Sequence, residues 1–75
     1  MIDKLVSIFR KYMEVEEKDY DTPFMKLGGD SLSGMMIIVD IEEQFRIIID
    51  PDVFYNYNTI NKMAAYIELN KGKAG

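Results

Sequence analysis

Cysteine and histidine are both absent from the 75 residues. Their absence removes thiolate nucleophiles, disulfide staples, imidazole bases and the commonest transition-metal ligands. Most routes to catalysis by this chain alone go with them. Basic residues are also scarce: nine Lys and Arg against 13 Asp and Glu leave a net charge of −4, the wrong sign for holding a phosphate backbone by counterion release. The charge argues against nucleic acid and for a basic protein surface as partner. Long apolar runs are missing too. MIDKLVSIFRKY is broken by Asp3, Lys4, Arg10 and Lys11, so it holds no uninterrupted signal-peptide core, and no later run approaches the ~18 residues of a membrane span. A cytoplasmic protein without membrane contact is expected.

What remains suits a folded globule: 48% of residues are apolar and 29% charged, too apolar for a disordered chain. A chain this short makes one domain, near the lower limit for folding without staples. A single domain over 1–75 is expected, structured from about 2 to 69, and its start at Met1 without Pro- or Ser-rich flanks predicts a freestanding protein.

Ile2, Leu5, Val6, Phe9, Tyr12 and Met13 recur at helical spacing and predict a first helix over 2–15. EEKDYDTPFMKLGGD follows as a long loop, because Asp21, Thr22 and Pro23 interrupt a helix and Gly28 and Gly29 permit positive φ. Loops of about 14 residues are uncommon in small domains unless functional or packed, and Phe24, Met25 and Leu27 are expected to pin this one. Asp30 is a good N-cap for a second helix from Ser31 to Phe45 or Arg46. IIID at 47–50 is β-rich but has no strand to pair with, so it reads as an extended connection. A short helical turn over 52–56 and a last helix capped by Thr59, with Ile60, Met63, Ala64 and Ile67 in register, complete the chain. The tail KGKAG is expected to fray. The fold class is all-α: three long helices and one short in a small four-helix bundle, with a long loop between helices one and two.

Helix two has two apolar faces. At 100° per residue with Ile37 at 0°, Gly34, Ile37, Ile38, Ile41 and Phe45 fall between 0° and 100°, while Leu32, Met35, Met36 and Val39 fall between about 160° and 260°. Glu42 and Glu43 continue that second side, and Ser31 lies beside it near 120°. Either the helix is central and buries both faces, or the second is a docking patch, a use that suits methionine.

Gly29, Asp30, Ser31 and Leu32 match the block of GDSL-type serine hydrolases, but those need a histidine base, which this chain lacks. Read alone, the block supplies a turn and a helix cap. Read with its surroundings, L-G-G-D-S-L at the mouth of helix two, the amphipathic first helix, the long loop, the DIEEQF end of helix two and a closing helix resemble the acyl and peptidyl carrier protein family over residues 2 to 69. The resemblance implies that Ser31 is esterified by 4′-phosphopantetheine, taken from coenzyme A by a magnesium-dependent phosphopantetheinyl transferase. Asp30, Gly29 and Leu32 would frame the attachment site. The arm's thiol would carry acyl, aminoacyl or aryl groups as thioesters between a loading synthetase or acyltransferase and downstream biosynthetic enzymes. The protein itself would be a monomer with no catalytic residues and no metal site. Leu32, Met35, Met36, Val39, Glu42 and Glu43 would meet partners.

Bacterial fatty-acid carriers typically show acids where this chain has Ser33 and Met36, and the paired glycines look more like peptidyl and aryl carriers. This favours a specialised nonribosomal-peptide or polyketide-like pathway over fatty-acid synthesis. The alternative from another class is an unmodified helical adaptor. DPDVFYNYNTIN, 50–61, is no EF-hand, since Tyr55 and Asn61 stand where Gly and Glu belong. Tyr55 and Tyr57 are candidate contacts for cargo or a partner.

Overall fold

The computed structural model describes residues 1–70; the fraying expected of KGKAG lies outside the described residues. Within them the chain is helical with no strand. Its helices are α1 (Ile2–Arg10), α2 (Ser31–Phe45), α3 (Pro51–Asn56) and α4 (Ile60–Asn70), with two 3₁₀ turns, Glu17–Asp19 and Phe24–Leu27, in the first connection.

The first helix is shorter than its periodicity predicts. Its apolar spacing runs on through Tyr12 and Met13, which still pack against the core, but the bonding tightens: Lys11 N–H donates to the Ile8 carbonyl at 3.2 Å and Tyr12 N–H to Phe9 at 3.0 Å. The chain then turns Val15 into the core, held by Arg10 Nε on the Val15 carbonyl at 3.0 Å. Burying Val15 while Glu14, Glu16 and Glu17 stay in water settles where the helix stops. Acids gathered beyond its C-terminus also oppose the negative end of the helix dipole.

The long connection is tied to the junction between α3 and α4. Phe24 N–H donates to the Asn58 carbonyl at 2.9 Å, Asn61 N–H to Tyr20 at 3.0 Å, and Asn61 Nδ2 to Asp21 Oδ1 at 2.8 Å. Of its three expected anchors, Phe24 is buried and Leu27 half-buried, but Met25 stands in solvent, because a four-residue 3₁₀ turn offers the core too few positions for all three. The opening of α4 is capped as expected, with Lys62 N–H on Thr59 Oγ1 at 3.0 Å.

Buried side chains from all four α-helices form one cluster. Leu5, Val6, Ile8 and Phe9 come from α1, Ile37, Ile38 and Ile41 from α2, Phe54 from α3, and Ile60, Met63, Ala64 and Ile67 from α4. α1 packs on α2 and α4, and α2 on α3. Residues 47–50 form an irregular connection with alternating burial, Ile47 and Ile49 inward and Ile48 outward. In place of a strand partner, the Ile49 N–H donates to Glu42 Oε2 at 2.9 Å, which satisfies a backbone donor that burial would otherwise leave costly.

Candidate functional site

The site is built around the junction that starts α2. Gly28 closes the second 3₁₀ turn at φ +96°, in the left-handed region that glycine enters without strain. Gly29 follows because a Cβ there would overlap the Phe24 ring and approach the Phe24 carbonyl oxygen to 2.8 Å. Both glycines thus answer internal demands of the turn.

Asp30 is extended at φ −137°, ψ −175° and caps α2. Its Oδ1 accepts the Ser33 N–H at 2.9 Å, and its own N–H donates to Ser33 Oγ at 2.8 Å. The Ser33 hydroxyl in turn donates to the Asp30 carbonyl at 3.1 Å. This reciprocal capping box holds the Asp30 carboxyl below the usual carboxylate range, chiefly through the Ser33 backbone N–H and then its side chain. The first turn therefore carries two hydroxyls in unlike states. Ser33 Oγ is engaged twice, whereas Ser31, the first residue of α2, is exposed and its hydroxyl makes no hydrogen bond among the described residues.

The two faces of α2 separate cleanly. Gly34, Ile37, Ile38 and Ile41 are buried and Phe45 half-buried, while Leu32, Met35, Met36 and Val39 are 70%, 51%, 45% and 48% exposed. Met35, Met36 and Val39 line an open groove with Tyr12 and Asp40. Asp40 Oδ2 accepts the Tyr12 hydroxyl at 2.7 Å and faces Lys11 Nζ at 3.3 Å, and that bond from the phenol raises the Tyr12 pKa. Of the acids further along α2, Glu42 is drawn inward to the Ile49 N–H, whereas Glu43 is exposed. The structure thus groups Ser31, Leu32, Met35, Met36 and Val39 along one exposed side, and turns Asp40 and Glu42 to internal partners. Tyr55 lies against Phe24 with centroids 6.0 Å apart, and Tyr57 against Tyr66 at 4.9 Å. Both pack on one side and stay half in solvent.

Three bonds of this region escaped sequence reasoning: those of Ser33 and Tyr12, and that of Glu42, which was expected to meet partners and instead accepts from the Ile49 N–H. Ser33 had a local signal, since Asp-x-x-Ser is a variant of the capping-box spacing. Tyr12 and Glu42 had none, because their partners lie 28 and 7 residues away in the chain.

Residues 3–67 match the family described as "Phosphopantetheine attachment site". The chain belongs to that family. Members carry a covalently attached 4′-phosphopantetheine group and serve as carrier domains that are generally non-catalytic and work with a phosphopantetheinyl transferase and biosynthetic enzymes. Among curated proteins, the chain is 30% identical over 73 residues to "Surfactin synthase subunit 2" of Bacillus subtilis (strain 168), covering 97% of this chain and 2% of that protein. It is 33% identical over 70 residues to "Acyl carrier protein 2, chloroplastic" of Arabidopsis thaliana, covering 89% of this chain and 52% of the relative. It is 29% identical over 68 residues to "Bacitracin synthase 1" of Bacillus licheniformis, covering 91% of this chain and 1% of the relative. The chain thus spans between a hundredth and about half of these relatives' lengths. No solved structure matches it. Among the described residues, no helix is long and apolar enough to cross a membrane.

The α2 opening fits the family's prosthetic group. A phosphodiester needs an accessible hydroxyl, and one is present at position 31. A negative phosphate at the first turn of a helix meets free backbone N–H groups and the positive end of the dipole.

Proposed function

We propose that Ser31 is the attachment point for 4′-phosphopantetheine and that the chain ferries cargo for other enzymes without catalysing anything itself. The observation that carries this is the contrast at the α2 opening: Ser31 is exposed while Ser33, two residues on, is locked in the cap. When bound, the group supplies a thiol on a long flexible arm, to which an acyl group is attached as a thioester. Ser31 provides only its oxygen. With no histidine in the chain, the base and metal for attachment come from the transferase. Asp30 holds the first turn, and Gly29 admits the Phe24 ring beneath it. Leu32, Met35, Met36, Val39 and Glu43 form the surface that partners meet, and Glu42 braces that surface from within. A small apolar patch with few charges suits brief, weak encounters, as a carrier that must release its partner requires.

The pathway we infer is a specialised one, loaded with aminoacyl or aryl groups. Support comes from the paired glycines ahead of Asp30, from Ser33 and Met36 in place of acids, and from the synthases among the relatives. We further propose that residues 1–75 act as a single monomeric domain in the cytoplasm.

Incubation with coenzyme A and a broad-specificity transferase, read by intact mass, tests the attachment. One phosphopantetheine is expected on the native chain and none on Ser31→Ala, which folds normally. A native chain that gains no mass favours an unmodified adaptor, and a gain that persists in Ser31→Ala moves the site elsewhere.

A further inference from the structure

One aromatic ring occupies space that two backbone positions leave open. A Cβ on Gly29 would overlap Phe24, and a Cβ on Gly34 would lie 3.2 Å from Phe24 Cζ and 3.5 Å from Phe54 Cε2. Phe24 meets Phe54 edge to face at 4.8 Å, and Phe54 stacks on Phe9 at 6.4 Å. Tyr55 flanks both, 6.0 Å from Phe24 and 5.8 Å from Phe54, with its hydroxyl 3.5 Å from that same Gly34 Cβ position. Phe24 and Phe54 are 0% exposed. The rings form a continuous wall from beneath the start of α2, past α3, to α1. Ser31 and Gly34 are three residues apart on α2 and so adjacent on its surface. The foot of a tether on Ser31 therefore stands at the rim of this wall.

We propose that Phe24 and Phe54 keep the tethered cargo outside the bundle, so that the cargo suited to this chain is short and polar, of the aminoacyl or hydroxyaryl class, and not a long alkyl chain. The proposal rests on Ser31 being the attachment point. A close-packed interior yields room only by moving atoms. An unbranched Met side chain can do so by rotating three torsions, but a rigid phenyl ring moves only as a plane about two, and these rings are wedged against each other and against glycine backbone. Displacing either one forfeits its burial and its edge-to-face contact together. A long alkyl cargo barred from the core would stand in water, which is unfavourable; a polar cargo meets no such penalty.

The test compares octanoyl and acetyl arms, installed by a transferase from the corresponding acyl-coenzyme A. Intact mass comes first: failure of both to attach removes the attachment reading itself and is distinct from the outcomes below. With both attached, the octanoyl thioester is expected to hydrolyse at the rate of free octanoyl-pantetheine. The ring protons of Phe24 and Phe54 should keep their acetyl-form NMR shifts, and the two forms should melt together. Phe54→Ala opens the wall, so octanoyl loading should then slow hydrolysis several-fold and raise the melting temperature over the acetyl form. If Phe54→Ala does not fold, Phe54→Leu should give the same change at smaller amplitude. Slowed hydrolysis with shifted ring signals in the native chain overturns the proposal, as does a folded Phe54 variant that leaves octanoyl no better shielded.

Discussion

Met36 and Ile37 are adjacent in sequence, similar in bulk and helical alike, yet Ile37 is 0% exposed and Met36 45%. The same division runs along α2, with Gly34, Ile38 and Ile41 on one side and Leu32, Met35 and Val39 on the other. Folding needs only the first side. Leaving the second in water forgoes roughly 1.5–3 kcal/mol for each side chain that burial would have gained. An apolar face kept at that disadvantage is consistent with a surface that other proteins cover for part of the time.

The sharpest way to break the comparison is to alter one residue on each face. Ile37→Ala should cost about 2–5 kcal/mol, because it empties a fully enclosed site, and chemical denaturation will measure it. Met36→Glu should shift stability by no more than about 0.5 kcal/mol, as surface changes do, while lowering the transferase's kcat/KM through a higher KM. A Met36→Glu variant that unfolds as readily as Ile37→Ala would show that the two faces do not differ.

A smaller effect is expected where the buried face begins. Gly29→Ala should destabilise by about 1–3 kcal/mol, the usual cost of forcing atoms into a filled space, since its methyl collides with Phe24. At the other end of the helix, Arg46 holds φ +59° as the C-cap, a left-handed conformation that costs a side-chain-bearing residue roughly 1–2 kcal/mol. Arg46→Gly should therefore raise stability by about 1 kcal/mol, read from the denaturation midpoint at unchanged slope.

The smallest effect is set by pH. The folded Asp30 carboxyl titrates below its ordinary value of 3.8. Its contribution is thus complete above that value and is lost as acid carries the pH down through the lowered folded pKa. NMR signals of the Ser33 amide should report the α2 opening loosening over that window in the native chain but remain flat in Asp30→Asn.

Where a feature was local, the sequence already disclosed it. The start of α2 follows from the Asp30 cap, its end lies at Phe45, one of the two positions expected, and its two faces follow from the helical angle. The last helix and its Thr59 cap are equally local. The end of α1 was hidden because Tyr12 and Met13 keep the helical rhythm while the chain leaves the helix; what ends it is the burial of Val15, a demand made by the rest of the fold. The 3₁₀ turns are too short to display a period. Two features beside the exposed Ser31 are the Phe24 ring packed against Gly29 and the Ser33 hydroxyl engaged with Asp30. The first of these is a matter of three-dimensional packing that no spacing records.

Glu42 and Ile49 fasten the chain to itself like a buckle: one carboxylate oxygen closes a strap of eight residues that includes the end of α2 and its turn. A deletion or insertion of a single residue inside that strap would unfasten it and roll Ile47 and Ile49 out to water. Since α3 begins two residues past Ile49, the length of that strap also sets where the helix bearing Phe54 starts.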